Sequence, residues 1–508
     1  MSQLLWRETV KAALVGTAQG AGIMGDAGRQ SGDRVGTMLD QGVFASAEDK
    51  LLTQAGMLAY HTLIGTKPAR HPEPLTARPQ LAQKQSPVIS ELMGMMLDGR
   101  YKDILPELLE LMAARGVTCP VEHVPNLLAY AATSVLNRHL VIGVLSEHDR
   151  MVAGLNPRWS FAAGDILTWQ GAVREMTIAK PAQRQAFLRQ LRHLDADFGR
   201  SLLKSRWKAE QPHVRLWYLR ILQINLSMAD EPLLEMALDD RALSVRKEAV
   251  LLLAGLPQSR LCQRMQNNVR HVLTWDAREK HLVVRFPTHV GRLLQRDGVP
   301  IAAAGKEMTA RLRGEQLRAM VGAVRLGHWE EKFGVSVGEL LEDIEASHWP
   351  RTLMRAFTEA ALRQKNGVWA RAILAREIKA QTAKLFNLLT VEEREILFAE
   401  LAEQYGGVIE SQNPLVLCAY HLQGAWSAGL TRTMLGVLQR HLDSAEPDFK
   451  NPQLSNTIRK MARGCPPEMA DEVAATFERY LHFPAWRTKL LDAITLAHLR
   501  KRMAEALR

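Results

Sequence analysis

The amino-acid sequence predicts an all-α protein, an α-solenoid of stacked helix pairs with a small β-hairpin insertion. Three observations predict it. First, HVRLWYLRIL at 213–222 returns 31 residues later as SVRKEAVLLL at 244–253, pairing Val214 with Val245, Arg215 with Arg246, Ile221 with Leu252 and Leu222 with Leu253. A fainter copy one period earlier puts Arg184 and Leu191 in the same places. One such unit cannot bury its apolar face alone, so consecutive copies must share a continuous core. Second, short amphipathic segments opened by proline recur along the chain, and proline's missing N–H costs nothing in a first helical turn. Third, between about 271 and 300 the helical periodicity lapses into two runs rich in β-branched and aromatic residues.

From the amino end, Trp6, Val10, Ala13 and Leu14 have helical spacing over 6–15, and a second helix is expected over 48–63. With the glycine-rich loop between them they form a segment at 1–65. Pro68, Pro72, Pro74, Pro79 and Pro87 then forbid regular helix, so 66–87 is expected to be an irregular strap or linker. Residues 88–270 are expected to be the repeat array, with helices over 104–114, 125–137, 181–193, 198–208 and 212–226. Its clearest unit spans 231–257. Pro232 opens a helix that Asp239 and Asp240 close, Ser244 is the expected cap of the next, and Gly255 with Pro257 stops it. Val245, Ala249, Leu252, Leu253 and Leu256 fall on one stripe of that second helix, facing the neighbouring repeat. In the 271–304 insertion, HVLTW and HLVVRF are separated by polar DAREK, which reads as a hairpin. A C-terminal helical array is expected over 305–508, with Trp329, Trp349 and Trp369 marking helix starts at a spacing of twenty.

At 508 residues and 47% hydrophobic, the chain can hold two or three ordinary domains or one extended array, and the repeat favours the array. No apolar run approaches the ~18 residues of a membrane span, and Arg7, Glu8 and Lys11 stand where a signal peptide would be apolar, so a soluble cytoplasmic protein without membrane contact is expected. Cys119, Cys262, Cys418 and Cys465 lie far apart with no CxxC pair, which suggests buried reduced thiols rather than a disulfide framework or a metal site.

Three short motifs invite a chemical reading and fail on context. Gly20, Gly22 and Gly25 spell GxGxxG, but a helix precedes them where a dinucleotide fingerprint needs a strand, and no Walker Gly-Lys-Ser/Thr follows. Ser146, His148 and Asp149 are adjacent, whereas a catalytic triad gathers residues from distant parts of a chain. Cys418 and His421 have ligand spacing inside an apolar helix, with no second pair to complete a zinc site. No cofactor, metal or catalytic constellation is expected, and a non-enzymatic role follows.

Charge supplies the remaining signal. The formal balance is +11, and residues 241–325 alone hold 16 Lys or Arg against 6 Asp or Glu. Directly after them come Glu330, Glu331, Glu339, Glu342, Asp343 and Glu345 with Lys332 as the sole cation. The candidate contact residues are Arg285, Arg292, Arg296, Lys306, Arg311, Arg313, Arg318 and Arg325. An acidic protein surface is the favoured partner; the phosphate backbone of a nucleic acid and the chain's own acidic block are the alternatives.

The unit DEPLLEMALDDRALSVRKEAVLLLAGLP is similar to the HEAT-like repeat, with acidic residues in the turn and an arginine in the second helix. The chain also resembles an uncharacterised bacterial domain family of unknown function through WRETVKAALVGT, DRMVAGLNPRW, RFPTHVGRLLQRDGVP, LGHWEEKFG and SHWPRTLMRAFTEAALRQKNGVWARAIL. That resemblance implies partners rather than a chemistry. Members are typically encoded beside a SWIM zinc-finger protein, a MoxR-type AAA ATPase and a von Willebrand factor A-domain protein. The expected function is therefore that of a scaffold or adaptor in a MoxR-type ATPase and A-domain system, with a nucleic-acid-binding HEAT-like protein as the alternative.

Overall fold

A computed structural model describes residues 2–16, 43–65, 86–134, 137–163, 169–178, 181–276, 281–302, 306–407, 409–410, 412–444 and 452–508. Helix makes up 74% of these residues and strand 2%. The chain divides into two compact units, residues 1–81 and 82–508. The glycine-rich loop with Gly20, Gly22 and Gly25, and the proline-rich strap up to residue 85, lie outside the described residues.

In the first unit, helices Ser2–Val15 and Ala47–Gly65 pack on each other. Ala12 and Leu58 are buried, and the Gln54 side-chain amide donates to the Thr9 hydroxyl at 3.0 Å. Trp6, Val10 and Leu14, which helical spacing groups on one stripe, are exposed. The buried face of the first helix is the one carrying Thr9 and Ala12, and the second helix buries Gln54 and Leu58.

In the second unit, one contact leads to the next along a course of helices. Pro87–Leu97 packs on Leu105–Ala114, and that on Arg138–Gly143. The course runs on through Pro181–Leu194, Pro212–Leu222, Leu243–Ala254 and Pro350–Gln364. A 3-10 helix, Ala383–Leu388, carries it to Pro414–His421, Pro452–Gly464 and Pro484–Ala506. The last of these helices packs on the first, so the course closes. Proline stands in the first turn of eight of these elements, as its fixed φ favours. Other helices lean on the course: Ala196–Arg206 on the Pro181 helix, Glu231–Ala237 on the Leu243 helix and Ala470–Glu478 on the Pro484 helix.

The apolar positions picked out by the 31-residue spacing are buried. Leu191, Leu222 and Leu253, one period apart, are each completely buried, and Val245, Ala249, Leu252 and Leu256 complete the expected stripe. Two local expectations give way to side-chain chemistry. Ala242, not Ser244, is the cap residue of the Leu243 helix. The turn is held instead by Asp240, which accepts the Ala242 N–H at 2.9 Å, and by Arg246, which donates to the Asp240 and Arg241 carbonyls at 2.7 and 3.1 Å. The Pro212 helix stops at Leu222 rather than 226. Arg192 takes the carbonyls of Leu222, Ile224 and Asn225, and Asn225 turns to a φ of 53°.

The hairpin forms as read. β1 (Leu273–Asp276) and β2 (His281–Val284) pair antiparallel, Leu273 opposite Val284 and Trp275 opposite Leu282. Lys332 holds its base, donating to the Arg270 and Leu273 carbonyls at 2.9 and 2.6 Å. Trp329 and Trp369 are buried and both pack on Phe357, the first edge-on and the second stacked, with ring centroids 5.9 and 4.8 Å away. Trp349 precedes the Pro350 helix and packs edge-on to Phe286 at 5.3 Å.

Candidate interaction surface

Arg215 and Arg246, 31 residues apart, are fastened into the turns. Arg215 makes a two-pronged pair with Asp240 at 2.7 and 3.1 Å and also donates to the Glu210 carbonyl, five residues before it. Arg246 reaches the Arg241 carbonyl, again five residues back. Arg184, one period earlier, lies 3.6 Å from the Glu210 carboxylate. The fork of the guanidinium suits this work, since it meets a carboxylate and a carbonyl together. Burial alone would raise the Asp240 pKa, but Arg215 and the Ala242 N–H outweigh it and leave the carboxyl below its usual range.

A deeper pair stands beside this ladder. Arg192 and Asp230 are both fully buried, 3.0 Å apart, and Arg192 spends its other donors on backbone carbonyls. Arg264 bridges Asp297 at 2.6 Å and Glu235 at 2.9 Å.

The basic block divides in two. Arg296 binds Asp239 at 2.6 Å and Glu235 at 3.3 Å, and the Asp239 bond raises its pKa further. Arg311 pairs with Glu315 one helical turn on, Arg318 with Glu359 at 3.2 Å, and Arg325 grips both oxygens of Glu331 at 2.6 and 2.7 Å. These four are matched by carboxylates, and Glu331 comes from the acidic block itself. Arg313 lies over the Phe286 ring at 5.6 Å. Arg285, Arg292 and Lys306 are exposed and have no side-chain partner among the described residues. Lys306 and Arg311 share a cleft of about 340 Å³ at the start of helix Ala310–Gly322 with Glu307, Glu315, Ile301 and Leu312. Sequence spacing marks the cations but not their partners, which come from 1 to 61 residues away.

Ser146 and Asp149 cap helix Glu147–Gly154 reciprocally, Asp149 N–H to the serine hydroxyl at 3.2 Å and Ser146 N–H to the carboxylate at 2.9 Å. Cys418 is buried and its thiol is pushed up to about 12 by that burial; all four cysteines are buried. His421, at the end of the same helix, is held below its usual pKa by burial and by Lys384 and Lys460. Among the described residues no group of three His, Cys, Asp or Glu side chains could hold a metal ion, and no helix is long and apolar enough to cross a membrane. A cleft of about 610 Å³ lies between helices Val391–Tyr405 and Ala428–Leu442, lined by Ala402, Gly406, Gly436, Arg432 and Arg440. Arg440 there donates to the Gly406 carbonyl at 2.8 Å, closing the end of the first helix.

Fold and surface define a predominantly helical protein whose ionic groups are built into the joints between its helices. The chain belongs to the family of unknown function DUF5691, whose model matches residues 8–507. No curated protein and no solved structure matches it.

Proposed function

We propose that the protein is a non-enzymatic scaffold or adaptor, a HEAT-like α-solenoid that binds protein partners in the bacterial cytoplasm. The partners are those the family resemblance implies: a MoxR-type AAA ATPase, a von Willebrand factor A-domain protein and a SWIM zinc-finger protein. The division of the basic block carries this reading. Affinity for a phosphate backbone comes from neutralising many phosphates at once, typically with six to ten cations for strong binding, at roughly one released counterion each. Arg296, Arg311, Arg318 and Arg325 would each have to give up a carboxylate first. Of the eight candidate residues, those left over, Arg285, Arg292, Lys306 and ring-stacked Arg313, are enough to steer an acidic protein surface into register.

Capture of partners by the tagged full chain, with and without nuclease, tests this. Nuclease should leave capture of the ATPase or A-domain protein unchanged. Arg285→Glu with Arg292→Glu and Arg313→Glu should abolish it while the helical circular dichroism persists. Tight nucleic-acid binding at physiological salt, lost in that variant, would replace this reading with a nucleic-acid-binding one.

A further inference from the structure

The helix course of residues 82–508 closes where the Pro484 helix meets the Pro87 helix, and its late and early ends are joined there by charge as well as by packing. Four side-chain ion pairs cross it. Arg459 and Arg463 lie 3.0 and 3.7 Å from Asp103, Arg500 is 2.6 Å from Glu107, and Arg502 is 2.8 Å from Glu91. Every arginine stands on the late helices and every carboxylate on the early segment. Arg463 also donates to the Asp103 carbonyl, and Arg115 to that of Leu507 at 2.9 Å.

The Pro484 helix is built to serve two neighbours. At 100° per residue, Trp486, Leu490, Ala493 and Ala497 form one buried stripe, while Leu496, Leu499, Met503 and Leu507 form a second, turned about a quarter of the circumference away. An apolar stripe flanked by charges is the anatomy of an interface between separate proteins. The chain treats it as one, for the residues joined are 356 to 411 positions apart. No short connection of the chain ties the two sides together at this place, so the contacts between them do it.

We infer that this joint is a separable closure. It opens as a unit when its charges are screened or reversed, turning the closed course into an open one while the helices on either side stay folded. On the late side, the Pro452 and Ala470 helices both pack on the Pro484 helix; on the early side, the Pro87 and Leu105 helices pack on each other, so each edge keeps its own support. Segregated charge makes reclosure fast and salt-sensitive, since three of the four arginines are more than two-fifths exposed. Arg500 is the exception at 12% exposed, and it also binds the Cys465 carbonyl.

Small-angle scattering, circular dichroism and light scattering on the full chain test this. Arg459→Glu with Arg463→Glu and Arg502→Glu spares Arg500. It should enlarge the radius of gyration at unchanged helix content and monomer mass, and adding Glu91→Arg with Asp103→Arg should restore the wild-type radius. In ~1 M salt, where screening acts within ~3 Å, wild type should expand. A disulfide formed in Glu91→Cys with Arg502→Cys should suppress that expansion. A doubled mass in the wild type at high protein concentration would also support separability, with the joint remade between two copies. An unchanged radius in the reversed variant, or expansion accompanied by loss of helix that the compensating changes fail to restore, would overturn the inference.

Discussion

Arg192 shows how much one residue is asked to do. Its guanidinium meets Asp230 with both side chains at zero exposure and ends the Pro212 helix by taking the carbonyls beyond it. Removing one partner of a buried pair leaves a bare charge, so Arg192→Met should cost about 3–5 kcal/mol in urea unfolding. Asp230 would keep Arg200, at 3.4 Å, and the Ser227 N–H, at 3.0 Å. Arg192→Met with Asp230→Asn should recover part of the loss, and an unchanged midpoint in the single variant would refute the account. Asp240 gives a pH signature. Its folded pKa lies below the usual value, so its ionised form stabilises the protein above the unfolded pKa of about 3.9, and that contribution is lost as pH falls through the folded value. The stability gap between wild type and Asp240→Asn should therefore shrink from pH ~5 to pH ~3. A gap independent of pH would remove Asp240 from the linkage.

At the scale of elements, apolar periodicity made the repeat helices and the hairpin legible. Leu191, Leu222 and Leu253 must be apolar wherever their helices meet, and that requirement is written directly into spacing. Helix ends were less legible. Ser244 has the composition of a cap, yet Asp240 and Arg246 do the capping, and the Pro212 helix is cut short by an arginine 30 residues earlier. Nor does sequence separation say which carboxylate neutralises which arginine: Arg296 finds Asp239 across 57 residues. The charge excess of the basic block was thus visible, and its partial cancellation was not. Leu253→Ala should cost about 2–5 kcal/mol, because the seam it fills cannot collapse freely. Lys332→Met should leave two carbonyls at the hairpin base without that donor and cost about 1–3 kcal/mol. Amide exchange in β1 should quicken while the Leu243 helix is untouched; equal acceleration of both would argue against a local role.

At the scale of the whole molecule, circular dichroism should be dominated by helix, and a spectrum dominated by sheet would contradict the fold. The end-to-end contact of residues 82–508 has an evolutionary consequence. In an open stack the number of units can drift, since gain or loss of one merely changes the array's length. A course that meets itself has a fixed circumference. Excising one 31-residue unit, so that the Pro181 helix abuts the Leu243 helix, would preserve the local register but displace one rim of the joint by about one helix spacing, ~10 Å. Arg502 and Glu91 could not then touch without distortion elsewhere. The length of the course is therefore constrained by geometry at the joint where its two ends meet.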